Sequence, residues 1–178
     1  GHANIIKYCD RPFESEQQMN KSMIDKWNSL VGPEDLVYHL GDFCFGSQNY
    51  AFETFFGQLN GKICFIKGNH DKLAWANKHR FFSYADSYKE VVVNGQPIIL
   101  SHYPILSWNK KHRNAIMLHG HCHYNIEATR KEGTSLGKIL DVGVDGNDFK
   151  PYHFDEIMDI MEKKPVSTIY PDLQDHHV

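Results

Sequence analysis

The chain contains no apolar run approaching the roughly 20 residues that a membrane-spanning helix needs, so no membrane segment is expected. It has no surplus of basic residues either. Its 19 Lys and Arg stand against 22 Asp and Glu, for a net charge of -3, which argues against a dedicated binder of long nucleic acid. A small phosphorylated partner stays open, because a few local cations or metal ions can hold one whatever the net charge. The four cysteines, Cys9, Cys44, Cys64 and Cys122, are dispersed without a CxxC pair, which predicts reduced thiols and a cytoplasmic location. The amino terminus, Gly1-His2-Ala3-Asn4, lacks the pattern of a signal peptide. No internal repeat, low-complexity tract or linker divides the 178 residues, so a single domain over 1–178 is expected. One residue type is abundant: there are twelve histidines.

Hydrophobic periodicity organises the rest. Residues 14–30 read as a helix, with Ser15 and Gln18 forming a capping box and Met19, Met23, Trp27 and Leu30 on one face as core stripe. Gly32-Pro33 closes it. Residues 35–40 form a short strand that stops at Gly41-Asp42. A second helix is expected over 50–59. Asn60-Gly61 then turns the chain into a strand over 62–67 that stops at Gly68-Asn69-His70-Asp71. Residues 91–93 and 98–100 flank Asn94-Gly95 as a tight hairpin, and its second strand leads to His102. Residues 115–118 form another apolar run, ending at Gly120-His121-Cys122-His123. A strand over 138–142 and an amphipathic helix over 154–163 complete the chain.

Four strands thus each end in a short loop bearing glycine or histidine together with potential metal ligands. Ligand sites in open α/β sheets form beyond the strand ends, so the pattern predicts one site fed by four loops. The candidates are Asp42, Asn69, His102, His121 and His123, with His70 beside them. Imidazole nitrogen mixed with carboxylate and amide oxygen suits Mn²⁺, Fe²⁺ or Zn²⁺, whereas a pure oxygen cage would favour Mg²⁺ or Ca²⁺. On an extended loop His121 and His123 would diverge toward different ions, with Cys122 pointing away from both.

The ordered series Gly41-Asp42, Gly68-Asn69-His70-Asp71, His102 and Gly120-His121-x-His123 resembles the signature of calcineurin-like metallophosphoesterases over residues 35–145. Order, strand-end placement and intervals carry the likeness: 27 residues separate Asp42 from Asn69, and 19 separate His102 from His121. The tail Leu140-Asp141-Val142-Gly143-Val144-Asp145 is similar to that of small bacterial and phage members. The resemblance implies an α/β fold of two packed sheets flanked by helices. It implies two divalent transition-metal ions, with manganese favoured among Mn, Fe and Zn. Asp42 would bridge the ions; Asn69, His102 and His121 would complete the second ion's shell, and His123 would bind the first. His70 would act on the phosphate, oriented by Asp71, while a hydroxide held between the ions attacks. The substrate would be a small, nucleotide-like phosphodiester or monoester. His2 and Arg11 are candidate substrate contacts.

The family begins with Asp-x-His at the end of its first strand, and no such motif stands before Asp42. The expectation is a chain that natively extends upstream, lacking here its first strand and two ligands to the first ion. That departure sustains an alternative, a non-catalytic metal- or nucleotide-binding module that has lost the first ion. A structural zinc protein is disfavoured by the dispersed cysteines and the oxygen-rich ligand set. His39, His79, His112, His119 and His153 are read as core or surface imidazoles, and His176 and His177 as a solvated tail. Tyr103 and Trp108 are open to stacking on a base or to core packing.

Overall fold

The chain's first long element shows how local chemistry sets a helix. Ser15 is extended (φ -149°, ψ 159°), and its hydroxyl accepts a bond from the Gln18 backbone N–H at 3.2 Å. Gln18 Oε1 accepts instead from the Glu14 N–H at 2.7 Å, so the reciprocal half of the box closes one residue further out than expected. Helix α2 (Glu16–Leu30) follows a short α1 (Ile5–Tyr8). Met19 is buried and the Trp27 indole N–H donates to the Asn60 carbonyl at 2.9 Å, whereas Leu30, at the last turn, is exposed.

The fold is a computed structural model describing residues 2–71, 83–85, 87–124 and 136–166; the readings of His79, His176 and His177 lie outside these. A first sheet holds three parallel strands in the order β1 (Leu36–His39), β2 (Lys62–Ile66) and β3 (Ser83–Ala85). Between β1 and β2 the chain forms α3 (Gln48–Ala51), which widens into a π-helical turn over Phe52–Phe56. A second sheet is ordered β4 (Tyr88–Val93), β5 (Gln96–Ser101), β6 (Ile116–His119) and β7 (Ile139–Asp141). β4 and β5 are the antiparallel hairpin read from the sequence. Asn94 (φ 49°) and Gly95 (φ 83°) supply the consecutive left-handed residues that a two-residue turn requires. β5, β6 and β7 run parallel.

The two sheets pack against each other. Leu40 and Ile66 from the first meet Ile98, Leu100, Ile116, Leu118 and Leu140 from the second in one buried cluster, with Ile157 and Met161 of α4 (Phe154–Glu162) closing it. Phe55, Ala51, Cys44 and Phe65 cover the other face of the first sheet. The outer face of the second carries Ile99, Met117, Ile139 and Trp108. Burial of these side chains at roughly 25 cal/mol per Å² of apolar surface is the main favourable term for such a core. α/β with two helix-flanked sheets is therefore the observed class. Among the described residues α1 and β3 were not expected from the sequence, each being too short to show a period. No helix among the described residues is long and apolar enough to cross a membrane.

Candidate metal centre

Two strands of each sheet deliver the candidate residues. Asp42 follows β1, Asn69 to Asp71 follow β2, His102 follows β5, and His121 to His123 follow β6. The sheets are tied together at this end. His102 Nδ1 lies 2.7 Å from the Leu40 carbonyl across the two sheets, and within the second sheet the His102 carbonyl accepts from Gly120 N–H at 3.1 Å. Gly41 makes the approach feasible. Its φ is +93°, and a Cβ there would lie 2.5 Å from Gly68 N and 2.7 Å from His102 Nδ1.

Asp71 clamps the β1 and β2 loops to one another. Its buried carboxylate accepts N–H bonds from Asp42 (2.7 Å), Gly68 (2.8 Å) and Phe43 (3.1 Å). Burial raises its pKa, and the three N–H groups only partly offset that. The contacts of His70 differ in kind: its backbone N–H donates to Asp42 Oδ1 at 2.9 Å, and its ring lies tilted on Phe45 at 4.8 Å.

Acceptors converge at the centre. His102 is 2% exposed, with Nε2 lying 2.8 Å from Asn69 Oδ1 and 3.3 Å from an Asp42 oxygen. Ligand atoms of Asp42, His102 and His121 all lie within 4.8 Å of one another. Desolvation disfavours charge on His102, but its bonds to Asp42 and the Leu40 carbonyl outweigh it and raise its pKa. Desolvation likewise opposes the Asp42 carboxylate, and His102 and the His70 N–H reverse the balance, holding its pKa low. With Nδ1–H donated to a carbonyl, the tautomer leaves the Nε2 lone pair facing two oxygens, an arrangement that calls for a proton or a cation between them. The donor set of imidazole, carboxylate and amide oxygen fits a divalent transition metal.

His123 sits in a second group. Its Nδ1 is 3.0 Å from Asp145 Oδ2, and Cys9, His123 and Asp145 offer ligand atoms within 4.8 Å of one another. Asp145 is also gripped by Arg11, through Nε at 2.6 Å and Nη2 at 2.8 Å. Arg11 Nη1 is 3.4 Å from Met19 Sδ, so this guanidinium is committed to the fold. His2 packs edge-on against Phe45 at 4.3 Å, and its Nδ1 accepts from the Ile5 N–H at 2.9 Å. Burial lowers the His2 and His121 pKa values. In the sequence Asp145 stands out only within the tail after residue 140 and Cys9 only as a dispersed thiol; a separation of 22 residues hides the pairing of His123 with Asp145. Trp108 is buried, with its indole N–H on the Ala115 carbonyl, which settles it as core, whereas Tyr103 is exposed with its ring 4.5 Å from His121.

An α/β double sheet with a histidine- and carboxylate-lined centre beyond its strand ends defines a class, and comparison supplies the family. Residues 19–142 match the calcineurin-like phosphoesterase superfamily domain, and the chain belongs to that family. It is 37% identical over 171 residues to the uncharacterised protein MJ1445 of Methanocaldococcus jannaschii, spanning 94% of this chain and 90% of the relative. It is 27% identical over 153 residues to the Gene 66 protein of Mycobacterium phage D29, spanning 71% and 75% of the two chains. Among solved structures it resembles AQ665 from Aquifex aeolicus, a protein of unknown function, with a TM-score of 0.66 and 26% identity over 88% of this chain and 91% of that one.

Proposed function

We propose that the protein hydrolyses a small, nucleotide-like phosphodiester or monoester using two divalent transition-metal ions, with manganese favoured. Asp42, Asn69, His102 and His121 would hold one ion; His123 would contribute to the second, with Asp42 shared. The observation that carries the reading is the convergence of His102 Nε2, Asn69 Oδ1 and the Asp42 carboxylate on one point. The ions would supply Lewis acidity and an activated water. The chain's own residues do the rest. The His70 imidazole holds a proton for the leaving oxygen, worth typically about 10²–10⁴-fold in rate. Asp71 acts as a positioning residue, through the backbone of Asp42 and Gly68 rather than through the His70 ring. His2 and His70 pack against the same Phe45 ring, at 4.3 and 4.8 Å, which supports a place for His2 at the substrate's edge. The contacts of Arg11 support a role in holding Asp145 ahead of one on phosphate. We extend the proposal to the cytoplasm, supported by the free thiols of Cys9, Cys44, Cys64 and Cys122.

The test compares Asp42→Asn with Asp159→Asn, a change on the exposed side of α4. Metal content by elemental analysis and turnover of bis(p-nitrophenyl) phosphate and p-nitrophenyl phosphate should fall together in the first and not in the second. Equal metal content in Asp42→Asn and the parent would remove the proposed site. Retained metal with no hydrolysis of any ester by the parent protein would make the chain a metal-binding module instead.

A further inference from the structure

Three consecutive residues of the β6 loop point into three different clusters. His121 faces Asp42 and His102, His123 faces Asp145 and Cys9, and Cys122 joins His119 and Asp141. Left-handed backbone at His121 (φ 65°) and His123 (φ 47°) produces this divergence. The third cluster has no part in the phosphoesterase chemistry proposed above. We propose that His119, Cys122 and Asp141 form a zinc site, separate from the hydrolytic centre, that clamps the loop carrying His121 and His123.

The ladder builds two of its three ligands. His119 and Asp141 end β6 and β7 as register partners, and such partners project to the same face of a parallel pair. The turn after β6, closed by Cys122 N–H on the Gly120 carbonyl at 2.8 Å, brings the thiol back to them. The three ligand atoms lie within 4.8 Å of one another. Asp141 is fully buried, and no Lys or Arg among the described residues pairs with it. Its oxygens accept from Gly143 N–H at 2.8 Å and Tyr124 N–H at 3.0 Å, which leaves a lone pair on each. A buried carboxylate without a cation is costly, and an ion would offset that cost. His119 Nδ1 lies 2.9 Å from the Gly120 carbonyl, the outer bond that a metal-bound imidazole generally makes, with Nε2 left for the ion. Sulfur, nitrogen and oxygen together select zinc over manganese, so the two centres differ in preference. Binding releases the Cys122 thiol proton to solvent as the sulfur–metal bond forms, and water would take the fourth position.

The test uses the full chain stripped with a chelator and titrated with Co²⁺ as an optical probe. A sulfur-to-cobalt charge-transfer band should appear in the parent, in Cys9→Ser and in Asp42→Asn, and be lost in Cys122→Ser, which should also bind about one equivalent of zinc fewer. A second measurement needs no variant: zinc should protect Cys122 from iodoacetamide, read by peptide mass spectrometry. A band lost in Cys9→Ser and kept in Cys122→Ser would transfer the sulfur site to Cys9, His123 and Asp145 and overturn the proposal. So would equal alkylation of Cys122 with and without zinc. Neither result bears on whether phosphate esters are hydrolysed.

Discussion

Arg11 holds both carboxylate oxygens of Asp145, at 2.6 and 2.8 Å, with side chains only 7% and 11% exposed, and His123 shares the same carboxylate. A segment near the start of the chain is thereby joined to the turn that follows β7 and, through His123, to the loop that follows β6. Desolvation opposes charge on Asp145, and its bonds to His123 and Arg11 outweigh it, holding the pKa low. Removing one partner of a buried pair strands the other, at a cost of about 3–5 kcal/mol. Arg11→Gln should lower unfolding free energy by that order in urea titrations, and Arg11→Lys should restore only part, since a lysine cannot reproduce the fork. A loss below about 1 kcal/mol would show that Asp145 is satisfied without the guanidinium.

Two glycines with left-handed backbone should respond differently to alanine. Gly95 (φ +83°) has open space around it, so Gly95→Ala should cost only backbone strain of roughly 1–2 kcal/mol and leave metal content unchanged. Gly41 (φ +93°) faces Gly68 N and His102 Nδ1, so Gly41→Ala must push the two sheets' loops apart. Elemental analysis beside thermal melts should show metal lost in Gly41→Ala alone. Normal metal in that variant would mean that the loops can part without disturbing Asp42 and His102.

His70→Ala should keep metal and lose about 10²–10⁴-fold in turnover of an activated diester. Because its backbone N–H, and not its ring, bonds Asp42, the substitution leaves that contact in place. Turnover within about threefold of the parent would end the proton-donor role. Loss of metal would move the imidazole into the ligand shell.

His39 supplies a pH dependence. Its Nδ1 accepts from the Gly41 N–H at 3.2 Å, its ring stacks on Phe65, and burial lowers its pKa to about 4, against a weaker opposing pull from Asp42. The unfolded chain binds this proton first, so stability contributed by neutral His39 is complete above the usual value of 6.5 and lost as pH falls toward 4. The span is worth up to about 3 kcal/mol. Melting temperature should therefore drop between these limits, and His39→Asn, which keeps an acceptor for Gly41, should flatten the profile. A parent and variant with parallel profiles would assign the acid sensitivity elsewhere.

The sequence by itself determined the elements that have a period or a turn code. α2 follows from Ser15 and the stripe beginning at Met19, the β4–β5 hairpin from Asn94-Gly95, and β2 from an apolar run bounded by glycines. The candidate ligands were legible for a related reason. Short loops at strand ends set polar groups directly after apolar runs, so Asp42, Asn69, His102, His121 and His123 stand out against their neighbours as candidates. Pairings across the chain were not legible. That Asp71 bonds Asp42 and Phe43, that Arg11 bonds Asp145, and that Cys122 turns toward His119 and Asp141 depend on which sheet faces which and on the sign of φ at single residues. Local propensity carries no information about either. Those relations are decided only when the two sheets close on their shared core.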